Sequence, residues 1–235
     1  RDKDKKKSES YYFKALGIFK NENDQNGISG IYYNLGLNCY YSHDYDKAMD
    51  YFKKSEEIVN MLDTKNSQIY SVIAGIYIDV GDAINADRYI NKALIICDEN
   101  KRTDQYNIAL LHVVSLYKMK NEYGKVISSA EELIKQFNIL GREPSLEHYV
   151  AINLSKKKLN LKFDNKQIDG LLSSHSFQEL DYEINYDLYL LKEDYKYLEV
   201  SYNNLIKQAN QLDSDLKTKF LSYPIPKAIV EEWEK

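Results

Sequence analysis

The sequence predicts an all-α protein, an α-solenoid of antiparallel helix pairs with about five units and a C-terminal capping helix. Three observations predict it. The block Ala48, Phe52, Ser55 recurs as Ala86, Ile90, Ala93, one period of 38 residues later. Each copy follows a first block, Tyr32, Leu35, Gly36, Cys39 or Tyr70, Ile73, Ala74, Tyr77, whose members fall three and four residues apart, the spacing of one helix face. Self-similarity at 20 to 50 residues marks units that stack only on their neighbours. With only 3 Pro and 9 Gly against 22 Tyr, few residues break helices and aromatic rings supply much of the packing.

Residues 8–20 carry Ser8, Tyr12 and Ala15 at the spacing of Ala48, Phe52 and Ser55, so they read as the second helix of a truncated unit. The charged opening, Arg1 to Lys7, reads as a solvated, frayed end, and the chain as a fragment of a longer protein. Asn21 to Gly27 is rich in Asn, Asp and Gly and reads as a loop. Residues 29–62 and 68–98 are the two clear units. Residues 105–138 are a third, with Leu110, Val113, Val114 and Tyr117 in the first helix and Val126, Ala130 and Leu133 in the second. Asp44, Asp82 and Glu122 share one turn position, where an acidic side chain caps the following helix and meets its positive end. Residues 145–174 form an irregular unit, 180–210 a degenerate one built on Tyr182, Tyr186, Tyr189, Leu198, Tyr202 and Leu205, and 213–235 the cap. The whole is expected to be a single domain, 1–235.

The residues of the paired blocks resemble the tetratricopeptide repeat, in which two antiparallel helices make a unit of about 34 residues. The resemblance covers about residues 8 to 210. It implies a right-handed superhelix, and the longer spacings here are similar to those of bacterial signalling and regulatory proteins. Under the pattern lies a steric expectation: Gly36, Ala74 and Val114 stand where two helices of a unit cross, facing Ala48 and Ala86.

A formal charge of −4 lacks the basic face a nucleic-acid backbone demands, so no direct nucleic-acid contact is expected. The longest apolar run, Val72 to Val80, is too short for a membrane span. Cys39 and Cys97 lie in different units and read as small core residues of a reducing, cytoplasmic compartment. His43, His112, His148 and His175 are scattered without ligand spacing, no phosphate loop or nucleophile elbow occurs, and Glu56-Glu57 and Glu131-Glu132 read as solvated faces. No metal, cofactor or catalytic residue is therefore expected, and no enzyme.

The resemblance implies that the first helices line a concave groove. Its candidate residues are Tyr33, Leu37, Tyr40 and Tyr41, then Ser71, Gly75, Ile78 and Asp79, then Leu111, Ser115, Lys118 and Met119. The expected groove is apolar and aromatic, with room for a ligand at Gly75 and Ser115. Some arrays of this kind grip a carboxylate with Lys and Asn, which these positions lack. The expected function is binding of a protein or peptide partner within a larger regulator. The alternatives are a structural or self-associating, homo-oligomeric solenoid and a receptor for a signalling peptide.

Overall fold

The computed structural model describes residues 2–99, 103–174 and 176–235, with side chains described outside 1–6, 98–103 and 174–175. Among them there is no strand, and thirteen α-helices and one 3-10 turn follow in sequence. They are α1 (Asp2–Asn21), α2 (Gln25–Tyr40), α3 (Tyr45–Met61), α4 (Ser67–Asp79), α5 (Ala83–Glu99), α6 (Thr103–Met119) and α7 (Tyr123–Ile139). After them come α8 (Leu146–Lys158), α9 (Lys166–Ser174), α10 (Tyr182–Lys192), α11 (Tyr195–Ala209), α12 (Ser214–Ser222) and α13 (Pro224–Trp233). Neighbours in sequence are neighbours in space: α2 packs on α3, α4 on α5, α6 on α7 and α10 on α11. The first helices of successive pairs also meet, α4 on α6 and α8 on α10, so the chain is an all-α helical solenoid.

The repeat residues are the seam. Ala48, Phe52, Ser55, Ile73, Ala74, Ala86, Ala93, Val126, Ala130 and Leu133 are all fully buried. Gly36 is buried, and a Cβ there would lie 2.5 Å from the ring of Phe52. Ser55 is polar yet buried; its hydroxyl donates to the Ser29 carbonyl at 2.9 Å and so ties α3 to α2.

The three turns after α2, α4 and α6 share one geometry, with His43, Gly81 and Asn121 at φ of 55°, 85° and 57°. Gly and Asn adopt that left-handed conformation readily; His43 must be held there by its contacts. Asp44 and Asp82 then cap, accepting from the Lys47 and Asn85 amides at 3.3 and 3.0 Å. The expectation fails at Glu122, which makes no cap bond: its longer side chain reaches Lys125 instead, at 2.6 Å.

Three further expectations are corrected. α1 starts at Asp2 and includes Lys5 to Lys7, residues of good helix propensity, in place of a frayed end. Glu56 does not face solvent but is buried between α3 and α5, while Glu57 is exposed. The terminal helices do more than cover an end. Phe220 and Tyr223 belong to the same core as Cys39, Tyr45, Ile73 and Val114, so α12 and the start of α13 fold back onto the early units. Tyr223 stacks on Tyr45 with ring centres 5.2 Å apart, Phe220 meets His43 at 4.4 Å, and a Cβ on Gly81 would lie 2.8 Å from Pro224. Trp233 closes the other side, stacked on Tyr202 and Tyr195.

No helix among the described residues is long and apolar enough to cross a membrane. Cys39 and Cys97 are buried and no disulfide joins them. His175 lies outside the described residues.

Candidate functional site

The first helices α2, α4 and α6 point the same register positions inward, and the structure brings several of the expected groove residues together. Tyr40, Gly75 and Asp79 meet there with His112. The space beside Gly75 is not vacant: a Cβ would lie 3.2 Å from the His112 ring and 3.6 Å from the Tyr40 hydroxyl. Ser71 is buried with Gly75, while Tyr33, Leu37, Ile78, Ser115, Lys118 and Met119 are half-buried. Tyr33 leans on the Phe52 ring at 5.8 Å and so belongs to its own unit's packing. Leu111 and Tyr41 are exposed, Tyr41 most of all at 73%.

The centre of this surface is polar, contrary to the apolar groove expected. Asp79, the last residue of α4, accepts hydrogen bonds from the Tyr40 and Tyr45 hydroxyls. Burial nevertheless pushes its carboxyl up to about 6, with the charge of Asp181 adding to the rise. Glu183 on α10 is pushed up to about 7 by burial and then by the charge of Asp79. Lys118 bonds Asp187 across α6 and α10. His112 is held neutral, its pKa lowered to about 4 by burial alone. The Lys118–Asp187 pair therefore ties α10 to α6, where the C-terminal units turn back towards the early ones.

Space for a ligand opens at the rim, between the end of α2 and the α10–α12 arm. This cleft measures about 1550 Å³. One wall carries Asn38, Tyr41, Ser42 and His43, and the other Gln178, Asp181, Asn204, Gln208 and Gln211, with Leu212 and Leu216 at one end. His43 and Gln208 hydrogen-bond through their side chains and join the walls. If Gln208 donates to Nε2, then Nδ1 carries the proton that His43 shares with the Tyr45 hydroxyl at 3.2 Å. Burial lowers the His43 pKa, against an opposing pull from Asp181, so the ring stays neutral at pH 7. Asn204 donates to the Leu180 carbonyl at 3.1 Å and fixes the loop before α10.

Of the expected groove residues only Tyr41 lines this cleft. Sequence reasoning passed over the opposite wall, although a signal was present. Asn204 and Gln208 fall four residues apart, which puts two amides on one face of α11, and Gln211 follows in the turn just past its end. Among the described residues no cluster of His, Cys, Asp and Glu could hold a metal ion. No protein-family profile matches the chain, and no curated protein matches it.

Proposed function

We propose that the chain is a tetratricopeptide-like array that binds an extended peptide or a segment of a partner protein in the cleft between its early units and its C-terminal arm. It acts as the sensing part of a regulator and performs no chemistry. The observation that carries this reading is the cleft itself: at about 1550 Å³ it exceeds the usual few hundred to 1,000 Å³ of a small-molecule site. Its walls suit a peptide backbone, because side-chain amides both donate and accept, as a backbone does. Tyr41 supplies an aromatic anchor of large area and few rotors at the edge. Two buried cysteines that form no disulfide fit a reducing, cytoplasmic setting.

Selection from a random peptide phage library, followed by calorimetry on the enriched peptides, tests the reading. The double variant Tyr41→Ala, Gln211→Ala alters exposed residues and leaves the fold intact. It is expected to weaken binding by about tenfold or more, the usual size of an anchor's loss. Enrichment of no peptide, or full affinity in the variant, would reject the cleft.

One observation favours self-association as a second reading. Helix α1 exposes Tyr11 and Ile18, seven residues apart on one face. A second copy covering them would make the mass by light scattering fall on dilution, and Ile18→Glu would abolish that dependence.

A further inference from the structure

Residues 158–164, between α8 and α9, are exposed without a break. Three of them are large and apolar: Leu159 is 42% exposed, Leu161 51% and Phe163 39%. None of the three joins or packs on a core among the described residues. Single exposed apolar residues are ordinary, but three at alternate positions form a patch that calls for a partner. The loop that carries them is firmly built. At the end of α8 the Asn160 amide donates to the Lys157 carbonyl at 3.0 Å and the Leu161 amide to the Lys156 carbonyl at 2.8 Å, with Asn160 left-handed at φ 55°. On the other side, the buried Asn153 side chain donates to the Asp164 carbonyl at 2.7 Å, and the Asp164 carboxylate accepts from the Lys166 amide at 2.9 Å where α9 begins. Both ends are pinned, so presenting the apolar side chains costs little ordering.

Lysines crowd the same place. Lys157 is committed, donating to the Leu190 and Leu191 carbonyls at the end of α10 and pairing with Glu193 at 2.6 Å, and Lys166 lies 3.7 Å from Asp164. The other acids close by have lysines of their own, Asp169 in Lys192 and Glu232 in Lys235. Lys156, Lys158 and Lys162 make no ion pair among the described residues, which leaves a local positive excess on a chain of formal charge −4.

We propose that this loop is a membrane-surface site: Leu159, Leu161 and Phe163 enter the outer part of a bilayer while Lys156, Lys158 and Lys162 rest on its anionic headgroups. Apolar side chains ringed by cations hold a protein on a bilayer without spanning it. A protein partner would need a complementary, well-packed surface, whereas fluid lipid needs none. The neighbouring cleft of about 410 Å³ takes in Lys158 and Asn160 but none of the three apolar side chains, so no groove accompanies them. Each lysine near an anionic surface strengthens binding about fivefold, so the three together give about a hundredfold, reversible by salt. The loop sits by the C-terminal end of α10, through Lys157, while the wide cleft lies at the N-terminal end, at Asp181. A bilayer held by the loop therefore leaves that cleft open, and the site stands whether or not the cleft binds a peptide.

Cosedimentation of the whole chain with vesicles tests it. The chain is expected to bind vesicles of phosphatidylcholine with about one third phosphatidylserine, to ignore pure phosphatidylcholine, and to be released by about 0.5 M salt. Lys158→Gln with Lys162→Gln is expected to weaken binding about twentyfold, and Leu161→Ser with Phe163→Ser about tenfold or more. All four side chains are exposed, so thermal melts of both variants should match the wild type. A second readout locates the contact: Phe163→Trp should gain a blue-shifted emission on anionic vesicles over the constant signal of Trp233. No binding to anionic vesicles, equal binding to both kinds, either double variant at wild-type affinity, or unshifted emission from Phe163→Trp would each overturn the site. Salt-sensitive binding to polyglutamate without binding to vesicles would overturn it too, and would assign the lysines to an acidic protein partner.

Discussion

Gly36 shows how a single missing carbon fixes the approach of two helices. Phe52 on α3 lies fully buried against it, with ring atoms 2.5 and 2.6 Å from where a Cβ would be. Because Phe52 is packed on every side, it cannot swing away cheaply. Gly36→Leu is expected to lower stability by about 1 to 3 kcal/mol or more through overpacking. Urea unfolding checks it, and an unchanged midpoint would show that the register of α2 on α3 is misassigned. That two helices cross closely at Gly36 was legible because both lie inside one repeat, but the spacing pointed to Ala48 as the facing residue and not to the ring of Phe52. His43 was not legible. Its left-handed backbone and its contacts with Phe220 and Gln208 depend on residues more than 160 positions away, and no local pattern announces them.

Between elements, the ties are polar as well as apolar, and Glu56 is the clearest. It projects from α3 towards α5, where Lys92 approaches it at 3.1 Å and the Tyr89 hydroxyl donates to it at 3.1 Å, while Lys53 holds it at 3.0 Å from its own helix. Burial alone would push its carboxyl up, but the hydrogen bonds and charges of the two lysines prevail and hold it below the usual range. A depressed carboxyl contributes stability that is present above its unfolded value and lost as pH falls through the folded one. Glu56→Gln is thus expected to cost about 1 kcal/mol at pH 7, screening by water included, and to flatten the loss of stability below about pH 4.5. Thermal melts of both proteins across that range measure it; parallel pH curves would remove Glu56 from the account. Paired acids on a helix look solvated in the sequence. Their partners here lie one period on, and only the stacking of α3 on α5 reveals which of the two turns inward. The capping aspartates were legible for the reverse reason, since Asp44 and Asp82 act three residues away.

At the scale of the molecule, a solenoid with a returning arm should come apart in a definite order. Units that touch only their neighbours keep local stability even when a distant contact is lost, whereas a single cooperative globule does not. The arm is held by the aromatic seam of Phe220 and Tyr223 on His43 and Tyr45, by Pro224 against Gly81, and by the Lys118–Asp187 pair. The exposed Lys219–Asp46 pair lies on the same seam, but surface pairs of that sort contribute little. Phe220→Ala with Tyr223→Ala removes the aromatic part, for which a loss of about 3 to 5 kcal/mol per fully buried ring is the upper scale. Amide hydrogen exchange should then show α12 and α13 opening freely while α3, α4 and α5, whose seam of Phe52, Ile73 and Ile90 is untouched, keep their protection. Uniform loss of protection across every helix would mean that the early units depend on the arm for folding. The array would then be a closed globule that merely repeats. Retained protection in α12 and α13 would mean that α11 and Trp233, and not the early units, hold the arm in place.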